Sequence, residues 1–222
     1  MGHCLYLKKG NVHTVPVASL KLGNIAEGTL VKIPEKGVMT EFYVAKHNYE
    51  SGLNGNGRTL MVRKDCHSNQ LWNYYSSNDF LNSDILKWLN GEYKNLFSEK
   101  IQNLIGDTKF KSYINGFNLT IHTIKKSVFL LSVNELGGSS EGTDAEGNTL
   151  PITNDLVIAF KGDSATVQWT RTPTGANDSY IRCFDSAGQK VSYKSNREFG
   201  ARPAFTIPAT TSFDAKTLEI KI

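Results

Sequence analysis

The residue types that most often do chemistry in proteins are present in this chain but scattered along it. The five histidines lie far apart, at His3, His13, His47, His67 and His122. None of them has the spacing to a second histidine that metal-binding and metalloprotease motifs require. The three cysteines, Cys4, Cys66 and Cys183, form no CxxC pair. A structural zinc site is therefore not expected, and the adjacent Cys66 and His67 are expected to be ordinary loop residues.

Cys183 is the cysteine with the most suggestive neighbour, because Arg182 precedes it and a nearby positive charge favours a thiolate. Neighbouring side chains on a strand point to opposite faces, however, so these two groups are expected to lie apart. The sequence also contains no GxSxG, P-loop or GxGxxG motif. We predict a buried free thiol at Cys183, no cofactor, no bound metal and no enzymatic activity.

Carboxylates are concentrated in residues 135–146, where Asp144 and Glu146 have the chemistry of calcium ligands. The segment lacks the alternating oxygen ligands of an EF-hand loop. Residues 137–149 include no apolar side chain except Ala145, a composition typical of surface loops. We therefore expect solvated carboxylates in this segment rather than a metal site.

Composition excludes several classes of protein. The chain has 222 residues, of which 39% are hydrophobic, and this fits a single globular domain. Its 25 basic and 21 acidic residues leave a net charge of +4, too weak and too scattered to indicate nucleic-acid binding. The longest apolar run falls far short of the roughly 18 residues that a membrane span needs. The first residues lack the apolar core of a signal peptide.

Local patterns predict a loop-rich α+β domain of antiparallel strands with two short helices; a mostly β domain with two helices is the alternative. The helices are expected to follow Ser83 and Ser98, which are good N-caps, and the first should end at Asn90-Gly91. Residues 1–18 suggest a small β-hairpin that docks or oligomerises the chain, residues 19–208 the main domain, and 209–222 a tail or extra strand. The expected strands of the main domain cover residues 29–33, 41–45, 59–62, 128–133 and 200–208 and the surroundings of Ile181 and Val191.

The most distinctive segment, residues 169–208, places rigid residues at both ends of a polar stretch. Arg171 and Arg202 are expected to tie loops to carboxylates or carbonyls through their forked donors. The polar stretch between them, 177–197, is rich in Tyr, Ser, Asn and Arg, which favours a recognition surface; a solvated hairpin is the alternative. The residues predicted to frame the fold are Trp88, Trp169, Arg171, Pro173, Gly188, Gly200, Arg202 and Pro203.

Four ordered motifs resemble an uncharacterised domain family of Firmicutes and their phages, often found in phage structural proteins. Residues 169–173 read W-T-R-T-P, and 200–204 read G-A-R-P-A, with Gly188 between them. Upstream, residues 129–135 read F-L-L-S-V-N-E and 83–90 read S-D-I-L-K-W-L-N. Residues 22–24, 44–49 and 60–65 resemble the opening strands of the family. The resemblance covers about residues 19–208.

This resemblance implies a fold related to C-type lectins and formylglycine-generating enzymes, in which the N- and C-terminal strands close together. The formylglycine-generating activity is not implied, because it needs a cysteine pair that Cys183 lacks, and no ligand cluster supports calcium. Related scaffolds vary residues just before the C-terminal G-x-R-P strand. Transferred to this sequence, the implied ligand-binding residues are Tyr180, Arg182, Lys190, Ser192, Tyr193, Lys194, Asn196 and Arg197.

The resulting hypothesis is a non-enzymatic virion protein of a phage, of tail, fibre or baseplate type, with a lectin-like receptor-binding face. Its expected partners are other virion subunits, further copies of itself, and a host-surface glycan, wall polymer or protein. Nucleic-acid binding and membrane insertion are not expected. The alternatives are a purely structural virion subunit, such as a decoration or collar protein, a ligand-binding protein of the bacterial surface, and an enzyme acting on the bacterial envelope.

Overall fold

Short strands make up most of the regular structure in residues 18–175 and 179–222, the part of the chain that the computed structural model describes. The hairpin predicted within residues 1–18 lies outside this part, except for residue 18. The strands are β1 (Ser19–Lys21), β2 (Leu30–Glu35), β3 (Val38–His47), β4 (Arg58–Arg63), β5 (Ser68–Leu71), β6 (Thr108–Tyr113), β7 (Ile121–Lys126), β8 (Val128–Phe129), β9 (Ala159–Lys161), β10 (Ser164–Thr166), β11 (Gln168–Pro173), β12 (Tyr180–Phe184), β13 (Lys190–Lys194), β14 (Glu198–Ala201), β15 (Ala204–Pro208), β16 (Ser212–Asp214) and β17 (Ile220–Lys221).

Two five-stranded sheets organise the domain. The first sheet has the strand order β2-β3-β4-β15-β8, and the second has the order β13-β12-β11-β14-β5. Neighbouring strands in both sheets are antiparallel, apart from the parallel pair β11 and β14. Three smaller sheets join β1-β16-β17, β9-β10 and β6-β7. The chain is thus a mixed α+β domain with mostly antiparallel strands, as the sequence predicts.

The helices are few and short. They are α1 (Ser51–Asn54), α2 (Asp84–Trp88), α3 (Glu99–Leu104) and α4 (Thr153–Leu156), with 3₁₀ turns at Leu22–Asn24 and Lys94–Leu96 and a π turn at Leu89–Tyr93. The sequence predicts α2 and α3 but misses α1 and α4, which are single turns. None of the helices that the structure describes is long and apolar enough to cross a lipid bilayer.

Helix α2 begins where the sequence predicts, and further helical turns continue past the predicted end. The Oγ of Ser83 accepts a hydrogen bond from the backbone N of Leu86 at 3.2 Å, which satisfies one N–H of the first turn. The predicted end at Asn90-Gly91 is wrong, because the π and 3₁₀ turns carry the chain on to Leu96. The Asn90 amide donates to the carbonyl of Val128 at 2.8 Å, so it ties the π turn to β8.

The apolar run 128–133 is buried, as expected, but the prediction of a strand is wrong beyond β8. Beyond β8 the carbonyl of Leu131 accepts from the N–H of Arg171 in β11 at 3.0 Å, but other backbone groups bind side chains. The carbonyl of Leu130 accepts from Nη1 of Arg171 at 2.9 Å, and the N–H of Ser132 donates to the carboxylate of Glu135 at 2.8 Å. The run therefore bends into a turn around a buried charge.

The predicted single strand over 200–208 is two strands that belong to different sheets. The chain leaves β14 in the second sheet and enters β15 in the first by way of Arg202 and Pro203. Pro203 has no N–H to donate to a ladder, and its carbonyl accepts from the N–H of Arg63 at 3.0 Å. This crossing joins the two sheets directly.

One continuous cluster of buried side chains joins residues of both large sheets and of α2 and α3. Aromatic rings form much of it: the Phe42 and Phe205 rings lie 5.3 Å apart, and those of Phe110 and Phe129 lie 4.5 Å apart. Removing such rings from water is the main favourable contribution to folding. The core therefore fixes the positions of the sheet edges and surface loops around it.

Candidate functional site

The hairpin of β12 and β13 divides the predicted ligand-binding residues between two faces. Arg182 lies opposite Ser192, and Ile181 lies opposite Tyr193. Side chains alternate along a strand, so Tyr193 and Arg182 point to opposite sides of the sheet. The side chains that share the face of Arg182 are Tyr180, Lys190, Ser192 and Lys194. Asn196 and Arg197 follow β13 in an exposed turn.

The loop 137–149 covers the face that carries Arg182. Nε and Nη2 of Arg182 each donate to the carboxylate of Glu141 at 2.7 Å, and its Nη1 donates to Ser192 at 2.6 Å. The Nζ of Lys190 lies 3.4 Å from the same carboxylate. Burial favours the protonated form of Glu141, but the hydrogen bonds and charge of Arg182 outweigh it and hold the pKa below its ordinary value. Two of the predicted ligand-binding residues, Arg182 and Lys190, thus fasten this loop.

The opposite face presents a row of aromatic rings. The Tyr193 and Phe199 ring centroids lie 4.6 Å apart, and those of Phe199 and Trp169 lie 5.1 Å apart. Trp169 is buried and its Nε1 donates to the carbonyl of Gln70 at 2.8 Å, whereas Tyr193 is 36% exposed. The buried tryptophan therefore supports the two more accessible rings at the surface.

A cleft of about 430 Å³ opens beside these rings. We call it the Tyr193 cleft; it is lined by Tyr193, Arg197, Glu198 and Phe199. It contains two of the eight predicted ligand-binding residues, together with an anionic side chain and a phenyl ring that the sequence did not indicate. Ring faces beside hydrogen-bonding charged groups are suited to a polar ligand that also has apolar surfaces.

A second depression lies beside Trp88. It consists of two adjoining hollows of about 620 and 420 Å³, which share Gln70, Trp88 and Glu92. We call it the Trp88 groove. Its remaining lining residues are Lys36, His67, Ser68, Leu71, Asp84, Lys87, Gly91, Tyr93, Asn95 and Leu96. Trp88, which the sequence assigned to the framework, is half-buried and partly accessible from this groove.

His67 is in the loop before β5, as expected, and it lines the Trp88 groove. Its ring centroid is 5.6 Å from that of Trp88 and 5.3 Å from that of Tyr93. Its Nδ1 lies 2.9 Å from the Oγ of Ser68, and the amide of Gln70 donates to the same Oγ at 2.8 Å. Burial lowers the pKa of His67, so the imidazole is neutral at neutral pH. These groups form a row of uncharged hydrogen-bonding sites along the groove.

The framing arginines behave as the sequence predicts. Arg171 is fully buried, and its Nη1 lies 2.6 Å from a carboxylate oxygen of Glu135. Arg202 donates to the carbonyls of Arg63 at 2.8 Å and Leu156 at 2.7 Å. These contacts hold distant loops at fixed positions, and both side chains are part of the framework.

The expectation of solvated carboxylates in residues 135–146 is wrong for Glu135 and Glu146, which are both buried. Glu146 accepts hydrogen bonds from the N–H of Tyr113 at 2.9 Å and from the hydroxyls of Ser112 and Thr172. Burial nevertheless raises its pKa above the ordinary value. The loop turns inward at this residue because Arg171, a buried cation, lies beside it.

The remaining framing residues also have structural roles. Gly188 has φ of +76°, a conformation that side chains disfavour, in the turn between β12 and β13. A Cβ on Gly200 would lie 2.5 Å from the Sγ of Cys66. The ladder between β11 and β12 shifts register between Trp169 and Pro173. These positions shape the hairpin that presents Tyr193.

The buried thiols offer no reactive group. Cys183 is a buried free cysteine, as predicted, and so is Cys66. Burial raises the pKa of Cys66 to about 11 and that of Cys183 well above its ordinary value, so both stay protonated at neutral pH. Over residues 18–175 and 179–222, no three His, Cys, Asp or Glu side chains are grouped to hold a metal ion.

Comparison with known proteins gives one match. The model of a family described as a domain of unknown function (DUF6273) matches residues 56–209. This range includes the Trp88 groove except Lys36, the whole Tyr193 cleft, and all of the framing residues. No curated protein and no solved structure matches the chain.

Proposed function

The chain belongs to the DUF6273 family, and we propose that it is a non-enzymatic ligand-binding protein of a phage virion that recognises its ligand at the Tyr193 cleft. The ligand is a carbohydrate or wall polymer of the host surface. The observation that carries this proposal is the Tyr193 ring, which is supported by Phe199 and Trp169 and stands beside Arg197 and Glu198.

The chemistry of this cleft suits carbohydrate recognition. A sugar ring has apolar faces of C–H groups and a rim of hydroxyls, so it binds an aromatic face and hydrogen-bonding side chains together. Arg197 supplies only donors and the Glu198 carboxylate only acceptors, and a hydroxyl group can satisfy both. The rings of Phe199 and Trp169 hold Tyr193 in place, which lowers the entropy lost on binding.

A lectin-like scaffold is part of the same proposal. The sequence motifs suggest it, and the pairing of β1 with β16 is consistent with it, since residues near both ends of the described chain meet in one sheet. The placement in a virion rests on the resemblance of the motifs to phage structural proteins. Detection of the protein by mass spectrometry in purified phage particles would test that placement.

Tyr193 is the most exposed aromatic ring of the cleft. We expect Tyr193→Ala to weaken adsorption of the purified protein to host cells at least about tenfold, because it removes the exposed ring of the cleft. Arg197→Ala should weaken it less, by the loss of hydrogen bonds. The measurement is binding of fluorescently labelled protein to cells over a range of concentrations.

Lys194→Ala is the matched control, since Lys194 is the next residue on β13 and points to the opposite face. It should leave adsorption unchanged. Equal adsorption by all the variants and the wild type would contradict the proposed binding site.

A second candidate function is that of a structural virion subunit. Three aromatic side chains on loops are far more exposed than Tyr193: Tyr74 at 70%, Tyr75 at 86% and Phe117 at 81%. Exposed rings of this kind are common where one protein contacts another. Assembly of the purified protein into rings or trimers, with no adsorption to cells, would favour this candidate.

A further inference from the structure

The Tyr193 cleft and the Trp88 groove adjoin on one face of the second sheet. Phe199 of the cleft lies directly opposite Gln70 of the groove in the antiparallel pair of β14 and β5. Directly opposed residues of two paired strands project from the same face of a sheet. A ligand that leaves the cleft past Phe199 therefore meets Gln70 and the groove next.

The charges along the surface formed by the Tyr193 cleft and the Trp88 groove are balanced. Three cationic and three anionic side chains line the two depressions: Lys36, Lys87, Arg197, Asp84, Glu92 and Glu198. Lys87 and Asp84 also neutralise one another, with Nζ and Oδ1 3.3 Å apart. A polyanion such as a phosphate-bearing wall polymer would need an excess of cations, as phosphate-binding surfaces have. The surface is better matched to an uncharged ligand.

The Trp88 groove has the same kind of chemistry as the Tyr193 cleft. Trp88 is a half-buried indole, as Tyr193 is a partly exposed phenol ring, and each stands beside hydrogen-bonding side chains. In the groove these are Ser68, Gln70 and Asn95. Two aromatic positions separated by polar groups provide two subsites for successive units of a repeating chain.

From this arrangement we infer that the ligand is a linear, uncharged chain of sugar units that occupies the Tyr193 cleft and the Trp88 groove together. The inference rests on the proposed function and extends it to the class of ligand. The cleft contributes one subsite and the groove contributes the other. Affinity therefore increases with the length of the chain until both depressions are filled.

The test uses the whole protein and a panel of linear glycans. The panel contains neutral homopolymers of glucose, mannose, galactose and N-acetylglucosamine, each as a disaccharide and as a long oligomer, and sulfated or phosphate-bearing chains of similar length. We expect the long form of at least one neutral glycan to bind at least about tenfold more tightly than its disaccharide. Charged chains should bind more weakly than neutral ones.

Variants then show which depression produces the gain in affinity with glycan length. Trp88→Ala should remove most of the preference for the long oligomer and leave disaccharide binding unchanged, whereas Tyr193→Ala should weaken both. Because Trp88 also packs against the core, Asn95→Ala supplies a second variant at an exposed position in the groove. It should weaken binding of the long oligomer only, about twofold to tenfold, because a hydrogen bond is lost. Asn103→Ala, another exposed asparagine outside the groove, is the matched control and should have no effect.

The outcomes separate the two proposals. Binding that depends on Tyr193 but neither on chain length nor on the groove variants would overturn the inference and leave the proposed function standing. A preference for charged chains would also overturn the inference. Failure to bind any glycan in the panel, with cell adsorption that Tyr193→Ala does not affect, would overturn both.

Discussion

Arg171 is the residue on which the interior of the domain depends most. Its guanidinium is fully buried and contacts four separate parts of the chain: Glu135 and the carbonyls of Leu130, Lys111 and Glu146. It also lies over the Phe110 ring, with Cζ 4.9 Å from the centroid. The nearby carboxylates raise its pKa despite burial, so it stays charged. Only a planar fork of five donors reaches all these acceptors at once.

Replacement of Arg171 by methionine is therefore expected to be severely destabilising. The variant leaves Glu135 without its cation in the interior, and loss of one partner of a buried ion pair costs about 3–5 kcal/mol. The measurement is the free energy of unfolding in urea.

Lys125→Met provides the comparison, because the Nζ of Lys125 and the Oδ2 of Asp107 form an exposed ion pair at 3.4 Å. Exposed pairs contribute less than about 1 kcal/mol. Similar losses for the two variants would show that burial of Arg171 does not matter.

At the scale of elements, Glu141 fastens the loop 137–149 to the β12–β13 hairpin through Arg182 and Lys190. Because its pKa is depressed in the folded protein, the contact stabilises the fold above the unfolded-state pKa of about 4.3. That stabilisation is lost as the pH falls through the lower, folded-state value. The wild type should consequently exceed Glu141→Gln in stability near neutral pH, and the difference should shrink below about pH 4.

Thermal unfolding midpoints recorded from neutral pH to about pH 3 would measure this difference. Asp163→Asn is the control, because Asp163 is exposed in the turn between β9 and β10. The unfolding midpoint of this control should stay close to that of the wild type over the whole pH range. A Glu141→Gln effect that does not vary with pH would refute the role of the charged contact.

At Gly200, strand β14 packs closely against Cys66 and the backbone of Val167. An added Cβ would lie 2.5 Å from the Sγ of Cys66 and 2.9 Å from the backbone oxygen of Val167. A backbone atom cannot move aside as a flexible side chain can, so Gly200→Ala is expected to destabilise the protein by about 1–3 kcal/mol. Unfolding in urea would measure the loss.

Gly52→Ala is its counterpart in α1, where an added Cβ would meet no atom within 4 Å. That variant should be neutral or more stable by up to about 1 kcal/mol, because alanine restricts the unfolded chain. Equal effects at the two glycines would contradict the close packing at Gly200.

At the scale of the whole molecule, local patterns were sufficient for some of the fold. The strands over 29–33, 41–45 and 59–62 and the cap at Ser83 follow from alternation and capping, which depend on near neighbours. The break in 128–133 is missed because side chains such as Arg171 bind its backbone from far along the sequence. The break in 200–208 is missed because its two halves pair with distant strands of different sheets. Contacts of that kind leave no periodic signal in the sequence.

The sequence indicates the residue types of the candidate site but not how they are arranged. Composition indicated a recognition surface within 177–197, but the division of Arg182 and Tyr193 between two faces depends on the pairing of β12 with β13. The Trp88 groove combines residues near positions 36, 67–71 and 84–96, which lie apart in the sequence and share no motif. Only the fold brings them together.

The strand order of the small sheet β1-β16-β17 sets the direction in which a pull on the ends of the described chain would load it. Strands β1 and β17 flank β16 and run parallel to each other, so a pull between residues 18 and 222 acts along the strands in opposite directions. The hydrogen bonds of the sheet are then loaded together, in shear, and do not break one after another. Anchoring at these two ends would therefore load the sheet in its more resistant direction.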